Sequence, residues 1–114
     1  AGLDKFFHLP TATVGSEPSW FGYLLTLKED CGFKRTDLVK ELENLKVGTR
    51  LLFAGNLVRQ PGFKNANYRV SGALDVTDKV MDDAFWIGVW PGLSPQHLDY
   101  MISVISDTVR RLRA

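Results

Sequence analysis

A chain of 114 residues, 45% hydrophobic and 24% charged, is large enough for one compact domain around one core. Its formal net charge of +1 gives no electrostatic reason to expect nucleic acid or an acidic membrane as a partner, and no apolar run approaches the roughly 20 residues that span a bilayer. The single cysteine excludes an internal disulfide and a Cys-rich zinc or iron–sulfur site within the chain, and the cytoplasm is the expected compartment.

The opening Ala1-Gly2-Leu3-Asp4-Lys5 has neither an initiating Met nor a secretory signal, so the chain is expected to be a piece of a longer protein. Residues 3–8 read as the tail of a helix begun upstream. Pro10, Gly15, Ser16 and Pro18 then mark a connecting loop over residues 9–19. Trp20 to Lys28, rich in aromatic and aliphatic residues, reads as a strand. It ends at Asp30-Cys31-Gly32, where Cys31 is expected as a free thiol.

Thr36 is a plausible N-cap for the next helix, on which Leu38, Val39, Leu42 and Leu45 form one apolar stripe. Gly48 occupies the position expected for a left-handed helix end. Thr49 to Ala54 reads as a second strand. Residues 55–72 read as irregular, with Tyr68-Arg69-Val70 the one short strand candidate inside them. Thr77 is predicted to cap a short helix through Ala84, and Phe85 to Trp90 is a third strand of a composition that suits burial on both faces. Ser94 and Pro95 start the last helix as cap and first helical residue. Its stripe is Leu98, Met101, Ile102, Ile105, Val109 and Leu112, and Arg110, Arg111 and Arg113 suit its negative end. The order predicts an α+β fold: a small α/β sandwich with a three- to four-stranded, mainly antiparallel sheet and helices on one face.

The usual catalytic signatures are absent: no Gly-x-Gly-x-x-Gly, no P-loop and no nucleophile elbow. His8 and His97 belong to no metal-ligand pattern, and His97, third in the last helix, suits surface or capping work. Asp82 and Asp83 are helix neighbours that point apart. Chemistry-bearing residues are densest over 49–63. There Arg50 and Arg59 suit carboxylate or phosphate, and Asn56 suits a sugar hydroxyl, in a loop that also holds Gln60. Solvated arginines on a structural turn are the competing reading. Leu52-Phe53-Ala54-Gly55-Asn56-Leu57 also looks like the first-strand motif of RNA-recognition domains, but no later segment supplies the second motif.

The run Gly48-Thr49-Arg50-Leu51-Leu52-Phe53-Ala54-Gly55-Asn56-Leu57-Val58-Arg59-Gln60-Pro61 resembles the C-terminal domain of the DegT/DnrJ/StrS family of pyridoxal-phosphate-dependent nucleotide-sugar aminotransferases and dehydratases. Pro18-Ser19-Trp20-Phe21-Gly22, Thr77-Asp78-Lys79-Val80-Met81 and Phe85-Trp86-Ile87-Gly88-Val89-Trp90-Pro91-Gly92-Leu93 agree with it. The combination is most similar to the 3-dehydratase branch, the CDP-4-dehydro-6-deoxyglucose 3-dehydratases of lipopolysaccharide O-antigen synthesis. The resemblance implies that residues 1–15 are the end of an inter-domain helix and a linker, and that residues 16–114 are a C-terminal small domain. It implies a homodimeric enzyme whose missing N-terminal large domain holds pyridoxal 5'-phosphate, in its pyridoxamine form, and the catalytic residue. An iron–sulfur cluster, where the branch uses one, would also lie elsewhere. By position, Arg50 and Asn56, then Arg59, Gln60 and Trp90, are the implied substrate-binding residues; no catalytic or metal-binding residue is expected in this chain. The alternatives are an aminotransferase of the same family, or a stand-alone ferredoxin-like module that binds a ligand or a protein.

Overall fold

A computed structural model describes residues 2–114. Four strands, β1 (Phe7–His8), β2 (Tyr23–Leu27), β3 (Thr49–Leu51) and β4 (Ala84–Ile87), form one antiparallel sheet in the order β1-β2-β4-β3. Three α-helices, α1 (Arg35–Asn44), α2 (Asp75–Asp83) and α3 (Pro95–Leu112), lie between and after them. β4 is central: Leu25 of β2 and Leu51 of β3 both register with Phe85. The α+β sandwich with a four-stranded antiparallel sheet is therefore as predicted.

The core forms where one face of the sheet meets α1 and α3. Phe7, Leu25, Leu27 and Phe85 from the strands pack with Leu38 and Leu42 of α1 and Val104, Ile105 and Val109 of α3. Period two in the strands and 3.6 in the helices put these residues on facing surfaces. Cys31 is buried in this core, and its thiol donates to the Phe33 carbonyl at 3.1 Å. α2 adds no residue to the buried core; its nine residues instead run straight into β4 with no intervening loop.

The ends of the elements differ from the sequence reading in instructive ways. Residues 3–8 are not a helix tail. Leu3–Lys5 make one 3₁₀ turn, and Phe7 then pairs with Leu27 and meets Phe85 edge-on at 6.4 Å. α1 starts at Arg35 with Lys34 as an uncapped N-cap, so Thr36 lies inside the helix. Its left-handed end residue is Lys46 (φ 63°), not Gly48. Lys46 N–H donates to the Glu43 carbonyl at 3.0 Å and Val47 N–H to the Leu42 carbonyl at 2.9 Å. That is the Schellman arrangement, and its customary apolar contact is available because Val47 and Leu42 are both buried. Leu45, expected on the stripe, stays exposed.

β3 stops at Leu51, because Phe53 (φ 48°) and Gly55 (φ 61°) turn the chain in the left-handed region. Tyr68-Arg69-Val70 forms no strand. α2 begins at Asp75, so Thr77 is inside it as well. β4 is open on one face: Trp86 there is flanked by Phe21 at 5.0 Å and Phe53 at 5.3 Å, both largely exposed.

α3 starts as read. Ser94 Oγ accepts from His97 N–H at 3.4 Å, and Ser94 N–H donates to His97 Nδ1 at 3.1 Å, with Pro95 in the first turn. The buried stripe is shifted, however: Val104 and Thr108 are inside, whereas Leu98 and Ile102 stay exposed beside an open groove. The arginines at its end are engaged: Arg111 pairs with Glu41 of α1 at 2.8 Å and Arg113 lies 5.0 Å from the Phe6 ring. Ser94→Ala should lower unfolding free energy by about 1 kcal/mol, read as a shift of the urea midpoint at constant slope. An unchanged midpoint would mean that the cap adds nothing to α3.

Candidate functional site

Three of the five implied site residues come together in the turn after β3. Asn56 is the N-cap of a 3₁₀ turn, Leu57–Arg59, and accepts from Val58 N–H at 3.2 Å. Its Nδ2 donates to Asp78 Oδ1 at 2.6 Å. Arg59 Nη2 donates to the other oxygen of the same carboxylate. Gln60 Nε2 donates to the Ala54 carbonyl at 2.7 Å and closes the turn on itself. Asp78 sits in the first turn of α2, where the helix dipole favours a negative charge.

The turn reaches α2 because position 55 has no side chain. A Cβ on Gly55 would lie 2.6 Å from Met81 Cβ and 2.8 Å from Met81 Cα. The φ of 61° is a second reason for glycine here.

Burial separates the roles within this clasp. Asn56 is 2% exposed and both ends of its amide are engaged, so in this structure it holds the turn. The Arg59 side chain is 60% exposed, so its remaining N–H groups face solvent. Asp78 appeared in the sequence only as part of a matching motif; its pairing with residues 22 and 19 positions away leaves no local periodic signal. An aspartate just inside a predicted helix start was the available clue.

Hydrogen bonds from Arg59 and then Asn56 hold the Asp78 carboxyl below its ordinary pKa. A depressed folded-state pKa means the clasp contributes fully above the ordinary aspartate range and is lost as pH falls through the depressed value. The protection factor of the Val58 amide should therefore fall in acid. In Asp78→Asn it should be low at neutral pH already, and wild-type protection in that variant would show that the charge is not needed.

The other two residues lie apart. Arg50 is exposed on β3, opposite Trp86, and donates to the Thr49 carbonyl at 2.7 Å. It borders a shallow groove of about 370 Å³ together with Phe21, Gly22 and Trp86. Trp90 follows the far end of β4, is 71% exposed and lies over Gly92. It borders an open apolar groove of about 540 Å³ with Tyr23, Ile87, Leu98, Met101 and Ile102. Since Leu51 registers with Phe85 at the start of β4, the turn of Asn56 and Trp90 stand at opposite ends of that strand.

The competing motif at Leu52–Leu57 lies in this turn rather than on a strand, so it offers no sheet platform for stacking bases. Among the described residues no group of three or more His, Cys, Asp or Glu could hold a metal ion, and no helix is long and apolar enough to cross a membrane.

Residues 1–106 match the model of the DegT/DnrJ/EryC1/StrS aminotransferase family. The chain belongs to that family. It is 58% identical over 99 residues to the lipopolysaccharide biosynthesis protein RfbH of Salmonella typhimurium, covering 87% of this chain and 23% of that protein. It is 47% identical over 103 residues to a dTDP-4-dehydro-2,6-dideoxy-D-glucose 3-dehydratase of Saccharopolyspora spinosa, covering 90% and 22%. Among solved structures, an E. coli GDP-4-keto-6-deoxy-D-mannose-3-dehydratase with bound hydrated PLP superposes with a TM-score of 0.76 at 25% identity, over 90% of this chain and 28% of that one. A variant 3-dehydratase of this kind with bound GDP-perosamine superposes at 0.77. The chain thus spans about a quarter of the length of the relatives it matches.

Proposed function

We propose that this chain is the C-terminal small domain of a pyridoxal-phosphate-dependent nucleotide-sugar 3-dehydratase of deoxysugar and lipopolysaccharide biosynthesis. The observation that carries the reading is 47% identity, over 90% of this chain, to an enzyme named for removing the 3-hydroxyl of a dTDP-linked 4-keto sugar. The likeness to 3-dehydratases that bind PLP or GDP-perosamine supports it.

The residues of this chain do not by themselves form a phosphate cradle for the cofactor. The N-terminus of its longest helix is filled by its own Ser94–His97 box, and the groove of about 540 Å³ beside Trp90 is walled by apolar side chains. In this reading residues outside this chain hold the cofactor and supply its chemistry. Cys31, buried and hydrogen-bonded, is no candidate ligand for a cluster. In this reading the exposed N–H groups of Arg59 and the guanidinium of Arg50 meet phosphate or keto oxygens of the nucleotide sugar, while Asn56 and Gln60 shape the turn. Trp90, at the other end of β4, borders an apolar groove rather than this turn.

The test is to express the complete reading frame that carries this chain, load it with pyridoxamine phosphate, and add a nucleoside-diphosphate-4-keto-6-deoxyhexose. Mass spectrometry should show loss of the C3 oxygen. Glutamate-dependent appearance of a 4-amino sugar would make the enzyme an aminotransferase. Turnover by this chain alone would refute its assignment as a small domain.

A further inference from the structure

We infer that Asp78 is a positioning residue, which aims the guanidinium of Arg59 at a phosphate group. The inference rests on the nucleotide-sugar reading above. Its basis is a division of labour at one carboxylate. Oδ1 takes the buried Asn56 amide, and Oδ2 takes the exposed Arg59 guanidinium. The first contact fixes the carboxylate relative to the turn; the second fixes a rotamer-rich side chain that is otherwise in water.

Only one guanidinium nitrogen bonds Asp78, so the rest of the fork can still make a second, charge-assisted contact. An arginine held by a carboxylate has less freedom to lose on binding, because its orientation is set before the ligand arrives. The support behind Asp78 is rigid: it lies in α2, which continues into the central strand β4 without a loop, and Gly55 brings the turn against Met81 of the same helix. A surface ion pair that merely stabilised the fold would need neither the buried Asn56 nor the glycine contact. The phosphate could belong to the nucleotide sugar or to the cofactor; both offer the same oxygens.

The experiment uses the full-length enzyme and a double-mutant cycle of Asp78→Ala and Arg59→Ala. Affinity for the nucleoside-diphosphate sugar is read by calorimetry, affinity for pyridoxal phosphate by absorbance, and melting temperature alongside. Each single variant should weaken one of the two affinities about tenfold, and the double variant should be no weaker than Arg59→Ala. The affinity that falls identifies the source of the phosphate. Asp78→Asn, which keeps the shape, should lose severalfold and serves where the alanine variant does not fold. A lower melting temperature with both affinities unchanged would overturn the inference, as would losses that simply add. If wild-type enzyme binds and turns over the sugar while the variants match it, only this inference fails. If wild-type enzyme binds no nucleoside-diphosphate sugar, the functional reading fails with it.

Discussion

Phe85→Ala should cost about 3–5 kcal/mol of unfolding free energy, the largest effect expected of any single truncation here. Phe85 is fully buried in the central strand β4, registers with Leu25 on one side and Leu51 on the other, and meets the Phe7 ring edge-on at 6.4 Å. Truncation removes about the transfer energy of an aromatic side chain and leaves a cavity. Its neighbours are strands fixed by hydrogen bonds and helices fixed by each other, so they can collapse only in part. A domain of this size has about 5–15 kcal/mol in total, so the variant should sit near the edge of stability. Urea unfolding and a melting temperature lowered by roughly 10–20 °C would report it. A loss below about 1 kcal/mol would show that Phe85 is not the keystone its burial implies.

Gly55→Ala should be the second largest, and it acts on the site as well as on stability. A left-handed φ costs a non-glycine residue about 1–3 kcal/mol, and the new Cβ would overlap Met81 backbone as well as side chain. Met81 Cα belongs to α2 and cannot swing aside as a flexible side-chain tip would. The turn must then lift from the helix, and Asn56 and Arg59 lose their common carboxylate. Under the proposed function, the nucleotide-sugar affinity of the full-length protein should fall together with stability. Full affinity at reduced stability would separate the turn's geometry from binding.

Much of this architecture was legible from periodicity. Leu38, Val39 and Leu42, or Ile105, Val109 and Leu112, recur at the mixed spacing of three and four that a helix, not a strand, places on one face, and those helices are where the spacing put them. β1 was not legible, since two paired residues carry no period and their partner lies across a long loop. Lys46 was hidden by Gly48: glycine is the usual left-handed residue, but the Schellman bonds decide which residue takes that conformation. Leu98 and Ile102 look like core in sequence because periodicity marks an apolar face without saying what covers it. At the site, motif matching found Asn56, Arg59 and Gln60 as neighbours. It did not find Asp78 as the shared partner of Asn56 and Arg59, because that contact exists only once α2 has packed against the turn.

The strand order has a consequence for how the chain is made. β3 has no partner in the sheet except β4, and β4 begins at Ala84. While this segment emerges from a ribosome, residues 2–83 can therefore contribute to the sheet only the short β1–β2 pair, which is marginal by itself. The residues of β3 meanwhile expose an unpaired edge. Closure must await β4 and the buried side of α3, both in the last third of the sequence. Translation that stops before Ala84 should leave residues 2–83 without a closed core, open to chaperones and proteases, whatever the quality of their local helices.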